Sequence, residues 1–399
     1  MVFRLYNSRT RTVEPFTPRD GRVAMYVCGI TPYDVTHLGH AFTYTTFDVL
    51  RRYLEARRLT VVHVQNVTDV DDDIIRKARE LGTSTEELAA RNVAAFERDM
   101  RVLGVLPPTS TPRASQEIAA MQQVIRDLLD RGQAYVHEGE VFFDVSAFPA
   151  YGALSRLSRE EMLAENRRQG MRPGPRDPLD FILWQRRAPG EPFWESPWGP
   201  GRPGWHIECT TMALRHAGVP VDIHGGGRDL IFPHHENEIA QSECATGVSP
   251  FARWWVHVGM IRYRGEKMSK SLGNLVLVQD LVQRHTPDAV RLSLLAIHYR
   301  SSEEWRETVM AEADAQAARL AAAARVPTGH GRALDPAPYV SRFWSALDDD
   351  LNTPAAVRAL LDLAGAIEAA PGADVQAAQG ELRACAGVLG LRLGLDAES

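Results

Sequence analysis

The residues of this 399-residue chain that could carry chemistry fall into three groups. The first is Cys28-Gly29-Ile30-Thr31-Pro32-Tyr33-Asp34-Val35-Thr36-His37-Leu38-Gly39-His40-Ala41. It sets a thiol, a glycine turn and two histidines ahead of a helical pattern. At a helix start, free N–H groups and the positive end of the dipole favour phosphate. Histidines placed there can donate to phosphate oxygens as negative charge moves onto a leaving group. The second group is Lys267-Met268-Ser269-Lys270-Ser271, which holds two of only three lysines, the other being Lys77. Lysine is a compact, flexible point charge, suited to following a phosphate that moves. The third is Cys28, Cys209, His234 and Glu238. Two thiolates, an imidazole and a carboxylate suit tetrahedral zinc, although separations this long in sequence by themselves favour two buried free thiols and a capping histidine.

These side chains need elements to position them. Ala24 to Gly29 reads as a short buried strand, His40 to Arg58 as a helix and Val61 to Val67 as a second strand. That succession is a βαβ unit, the start of a parallel sheet with ligands beyond its C-terminal strand ends. Helical patterns follow from Ile74 to Leu103 and from Ser115 to Arg131. The stretches Asn166 to Pro178 and Pro189 to Pro203 read as irregular. Val221 to Gly227 returns to strand, Phe232 to Glu236 opens a helix carrying the His234/Glu238 i,i+4 pair, and Trp255 to Val258 is a further strand. From Pro287 onward the pattern is helical, interrupted near Pro327 to Pro338.

Composition narrows the class. A net charge of −6 argues against a generally basic nucleic-acid binder. No apolar run approaches the roughly 18 residues of a membrane span, and the N-terminus opens no signal peptide. Four cysteines make no disulfide framework for a chain of this length, so reduced thiols in a cytoplasmic protein are expected, with Cys244 and Cys385 structural.

The His37-Leu38-Gly39-His40 element and the Lys267–Ser271 loop together resemble the signatures of the class I aminoacyl-tRNA synthetase catalytic domain. The resemblance implies an α/β fold: a Rossmann-like parallel-sheet catalytic domain of HUP type with an insertion, followed by a C-terminal α-helical domain. It places the catalytic domain at 1–286, the insertion at about 110–205, the lysine loop at 265–274 and the helical bundle at 287–399. No anticodon-binding domain is recognised. The implied activity is adenylate formation from ATP and an amino acid, with His37, His40, Lys267 and Lys270 catalytic and Mg2+ accompanying ATP. Cys28, Cys209, His234 and Glu238 match the zinc site of the cysteine-specific members, one Zn2+ per chain. Around the cysteinyl adenylate the matching positions are Gly29, Ile30, Thr31, Thr68, Trp205 and Asp229. Thr43, Asn66, Val67, Gly227, Arg228 and Ile261 complete them.

Two cysteine-activating families share these features. The mycothiol-pathway cysteine ligases transfer cysteine to the amine of glucosaminyl-inositol, and the cysteinyl-tRNA synthetases transfer it to tRNA(Cys). The opening stretch, Gly29-Ile30-Thr31-Pro32-Tyr33-Asp34 with His37-Leu38-Gly39-His40-Ala41, looks like the first. So does a segment after residue 300 with eight Arg, no Lys and fifteen acidic residues, a poor clamp for RNA phosphates. Asn237-Glu238-Ile239 reads as the second, because the amino-sugar ligases usually lack a carboxylate at the Glu238 position. Glucosaminyl-inositol is the favoured acceptor on this reading, tRNA(Cys) the alternative, and a non-catalytic cysteine-binding paralogue the third possibility. An acceptor amine must also lose a proton, for which His37 and Asp229 are the candidate bases.

Overall fold

The computed structural model describes residues 2–33, 35–268 and 273–394. At its centre is a four-stranded sheet in the order Ala252–Val258, Val221–Gly227, Arg22–Ile30, Thr60–Val67. All three pairings are parallel. The strands are near-continuous apolar runs because helices cover both faces of such a sheet. From Arg22–Ile30 the chain passes through the helix Leu38–Ala56 to the neighbour Thr60–Val67. The later strand Val221–Gly227 pairs on the opposite side of Arg22–Ile30. Strand order therefore reverses at Arg22–Ile30, which opens a crevice beyond its C-terminal end, where Cys28 and Gly29 lie.

Close strand packing explains two glycines. A Cβ on Gly29 would lie 1.5 Å from the Asn66 carbonyl oxygen, and one on Gly225 would lie 2.1 Å from Phe47 Cζ. Gly29→Ala is therefore expected to force the two strands apart and lower the thermal unfolding midpoint, while Gly380→Ala, whose Cβ meets nothing, does not lower it. An undiminished midpoint in Gly29→Ala would contradict this packing.

Several elements differ from the sequence expectation. The helical stretch from Ile74 to Leu103 is two helices, Asp72–Leu81 and Thr85–Val102. Gly82 (φ 65°) ends the first in the left-handed region and the Ser84 side chain caps the second. The insertion carries an antiparallel sheet, Ala134–His137, Glu140–Phe143, Phe181–Arg186 and Gly201–Pro203, that short apolar runs between turns did not announce. Its last strand occupies the end of a stretch read as irregular. The helix expected from Phe232 begins instead with a wide turn, Ile231–His235, broken by extended Phe232 (φ −137°), and becomes regular only at Glu236–Thr246. Such widened turns favour functional sites.

The insertion shares a core with the crevice: Phe143, Phe181, Leu183 and Trp184 cluster with Tyr26, Cys28, Cys209 and Ile207. A second core joins the helix Leu38–Ala56 to the C-terminal helices, including Pro287–Leu295 and Gln376–Val388. Fully buried Arg291 pins that junction. Its guanidinium pairs with Asp48, and its Nη1 donates to the Leu103 carbonyl over 3.0 Å. Arg52 Nε reaches the same Asp48 oxygen at 2.8 Å. Among the described residues, no helix is long and apolar enough to cross a membrane.

Candidate active site

The N-terminus of the helix Leu38–Ala56 is built by its own histidines. His37 is the N-cap, and its Nδ1 accepts the Gly39 N–H at 3.0 Å. His40 Nδ1 accepts the His37 N–H at 3.4 Å, and the two rings stack with centroids 3.9 Å apart. Gly39 is needed here because a Cβ would meet His37 Cε1 at 2.9 Å. Since both Nδ1 atoms accept, each neutral ring carries its proton on Nε2, which can donate to an oxyanion. The segment following the lysine loop closes on this element, with Leu38 N–H donating to the Val276 carbonyl over 2.8 Å. Lys267 belongs to the short strand Glu266–Lys267 paired with Ile261–Tyr263. Lys270 lies outside the described residues.

Across the crevice, Asn66 links the strand ends. Its Oδ1 accepts the Gly29 N–H at 2.8 Å and its Nδ2 donates to Thr68 Oγ1 over 3.1 Å. The Thr68 N–H in turn donates to the Ile30 carbonyl. Thr31 is half-buried beside them, and Thr43 Oγ1 donates to the Gly39 carbonyl. Val67 and Ile261 are buried among core side chains. Gly227 ends its strand half-buried, whereas Arg228 and Asp229 are exposed. Arg228 donates to the Arg300 carbonyl, and the Asp229 carboxylate stands by Arg168 of the insertion.

The third group converges. Cys28, Cys209, His234 and Glu238 are all buried, and one ligand atom from each lies within 4.8 Å of the others. His234 Nε2 stands 3.0 Å from Glu238 Oε1, and Cys28 Sγ lies 3.6 Å from the same oxygen. Trp205, at the start of the helix Trp205–His216, stacks its ring 4.3 Å from that of His234. Burial disfavours every charge here and, together with Cys209 and Glu238, pushes the Cys28 thiol well up, yet the other three donors ionise one another. Hydrogen bonding from Cys28, reinforced by the His234 charge, brings Cys209 down to about 6. Against desolvation, Cys209 and Glu238 hold His234 at about 10. His224 and His234 likewise overcome burial and hold Glu238 at about 2. A thiolate and a carboxylate thus stand ready, and a cation entering would release the proton of His234. This donor set, two sulfurs, one nitrogen and one oxygen, fits tetrahedral zinc and offers too little oxygen for Mg2+ or Ca2+.

Sequence reasoning missed the histidines beneath this cluster. His206 Nδ1 lies 2.9 Å from His234 Nδ1, and His224 Nε2 lies 2.9 Å from Glu238 Oε2. His235 Nε2 is 3.3 Å from Cys28 Sγ, while its Nδ1 is 2.7 Å from His257 Nε2. The available signal was polar rings inside apolar strand runs, Val221-Asp222-Ile223-His224 and Trp254-Trp255-Val256-His257.

A crevice at the strand-order reversal, a histidine-capped helix facing it and a lysine hairpin define a class I nucleotide-activating fold. Residues 15–315 match the family described as tRNA synthetases class I (C) catalytic domain, and residues 342–394 match the DALR domain. A cysteine–tRNA ligase of Methylococcus capsulatus is 48% identical over 400 residues, covering 98% of this chain and 85% of that protein. One of Nitrosococcus oceani is 45% identical over 98% of this chain and 84% of its own length. The structure of Mycobacterium tuberculosis methionyl-tRNA synthetase bound by methionyl-adenylate superimposes with a TM-score of 0.65. It covers 93% of this chain and 90% of its own at 18% identity, a likeness of fold. The chain belongs to the class I (C) tRNA synthetase family and is an ATP-dependent ligase of that type.

Proposed function

We propose that this enzyme activates L-cysteine with ATP and transfers it to tRNA(Cys). The observation that carries the choice of acceptor is Glu238, which joins the four-donor cluster that the amino-sugar ligases usually leave with three. The names of the relatives support the same acceptor. This revises the sequence reading, which favoured glucosaminyl-inositol; the opening Gly-Ile-Thr-Pro-Tyr-Asp stretch and the acidic, lysine-free segment after residue 300 remain on that side.

Cys28, Cys209, His234 and Glu238 would hold zinc, which when bound supplies a soft Lewis acid that prefers the thiol of cysteine to the hydroxyl of serine. Trp205 walls the pocket beside His234, and Thr31, Thr68 and Asp229 hold the cysteine amine and carboxyl groups. The polar edge from half-buried Gly29 to buried Asn66 receives the nucleotide, with Thr43, Gly227 and Arg228 around it. The His37 and His40 Nε2–H groups donate to phosphate oxygens as pyrophosphate departs. Lys267 and Lys270 add charge to the same oxygens, and magnesium enters with ATP. The terminal ribose hydroxyl of tRNA then attacks the activated carbonyl, and AMP leaves.

Purified enzyme offered ATP, labelled cysteine, tRNA(Cys) and glucosaminyl-inositol together is expected to label the tRNA. Label in an amide of the amino-sugar, with none on tRNA, would overturn the acceptor while leaving cysteine activation intact.

A further inference from the structure

The lysine hairpin does not hold its own position. Its strands, Ile261–Tyr263 and Glu266–Lys267, turn through Arg264 and Gly265, both left-handed (φ 59° and 80°). A ribbon of two strands this short is marginal alone in water. A third strand, Glu303–Glu304, supports it by pairing parallel with Ile261–Tyr263. Backbone bonds run along the length of the contact. The Gly259 N–H donates to the Tyr299 carbonyl over 2.7 Å, and the Glu303 N–H to the Met260 carbonyl over 3.1 Å. The Trp305 N–H donates to the Arg262 carbonyl over 2.7 Å. At the turn, the Gly265 N–H donates to Glu304 Oε1 over 3.0 Å.

A carboxylate of the helical domain anchors that supporting segment. Asp350 lies between the helices Ala337–Asp348 and Thr353–Glu368 and is only 3% exposed. Its Oδ1 accepts the Tyr299 hydroxyl at 2.7 Å and the Tyr6 N–H at 2.8 Å. Its Oδ2 accepts the Arg300 Nε–H at 2.6 Å, a charge-assisted bond. Asp350 and the buried Leu351 are both left-handed (φ 55° and 52°), a conformation that a β-carbon disfavours and leucine rarely adopts. Strain of this kind persists only where the surroundings enforce it, and it collects at functional sites. We propose that Asp350 is a positioning residue for adenylate formation: by fixing Tyr299 and Arg300 it sets the place of the lysine hairpin against the crevice. This rests on the reading that Lys267 and Lys270 stabilise departing pyrophosphate. Charges that act as the transition state forms must already be in place. Slack in their mount therefore lowers kcat and leaves the KM for cysteine, which is bound at the sulfur cluster, as it was.

The test is cysteine-dependent pyrophosphate exchange by Asp350→Asn and Tyr299→Phe, with circular dichroism at the assay temperature reporting the fold. Asparagine keeps the size of the side chain and loses the charge that Arg300 meets; phenylalanine loses one hydroxyl. Asp350→Asn is expected to lower kcat about 10- to 100-fold, the range that a displacement of about 1 Å costs. Tyr299→Phe should lower it less, and the KM for cysteine should stay unchanged in both. Combining Asp350→Asn with Lys267→Ala should give a rate no lower than the slower of the two alone, because both remove one interaction. Losses that multiply place the effect outside the hairpin and overturn the proposal. Folded Asp350→Asn with unchanged kcat overturns it and confines Asp350 to stability, and a matching rise in the KM for cysteine overturns it as general distortion. Where Asp350→Asn does not fold, Tyr299→Phe decides by a lowered or an unchanged kcat. Lys267→Ala exchanging at the wild-type rate overturns the role of the lysine itself, and this proposal with it.

Discussion

Cys209→Ser is expected to lose bound zinc and most of the preference for cysteine over serine. Cys209 is buried in the four-donor cluster, and its thiol is the one held near 6, the readiest to coordinate. A serine hydroxyl in its place is a harder, weaker donor that does not ionise near neutrality. Loss of a hydrogen bond that merely supports a ligand costs 10- to 100-fold in affinity, so loss of the ligand should exceed about 100-fold. Selectivity should fall with it. A pocket acting by shape and apolar contact separates near-isosteres by about 100-fold at most. The variant's cysteine-over-serine ratio in pyrophosphate exchange should therefore drop to that level or lower. Elemental analysis reads the metal, exchange reads the ratio, and circular dichroism confirms the fold. A variant with full zinc and undiminished preference would remove the metal from the account of specificity.

The sequence announced the catalytic sheet and the three chemical groups because each leaves a local mark. Strand, glycine turn and helix around Cys28 to Leu54 are written in apolar spacing, and the residues proposed to meet phosphate lie within a few positions of one another. The proposed metal donors come from three separated segments, so spacing could nominate them but never close the set. The histidines beneath were illegible for a related reason. His206 meets His234, His224 meets Glu238 and His235 meets His257 only after two parallel strands and two helices have packed. In a strand pattern, a lone buried histidine reads as a break in alternation. The insertion's antiparallel sheet was hidden because its strands are three to six residues long and separated by up to 37 residues of other structure. Arg291 was hidden differently. One charged residue in an alanine- and leucine-rich helix gives no sign that its partner stands on a helix more than two hundred positions earlier.

That partner gives the second large expected effect. Asp48→Asn leaves Arg291 wholly buried, with its charge no longer matched and Arg52 beside it. Removing one member of a buried ion pair typically costs about 3–5 kcal/mol, far more than the pair itself contributes over an apolar replacement. Denaturant unfolding should show a loss of that order at neutral pH. Double replacement with Asp48→Leu and Arg291→Met should recover much of it. The pH dependence has a definite sign. Arg291 and Arg52 outweigh the desolvation of Asp48 and hold its carboxyl below the ordinary value, so its contribution is full above about pH 4. That contribution is lost as pH falls through the lowered native value, where wild type takes on the proton that asparagine mimics. The gap between the proteins should therefore be constant from pH 5 to 8 and close only in acid. Because Asp48 lies on the helix that His37 caps and whose first turn carries His40, the same substitution tests whether the C-terminal helices steady these histidines in their proposed role. A rise in KM for ATP well below the unfolding midpoint would show that they do, and an unchanged KM would confine Asp48 and Arg291 to stability.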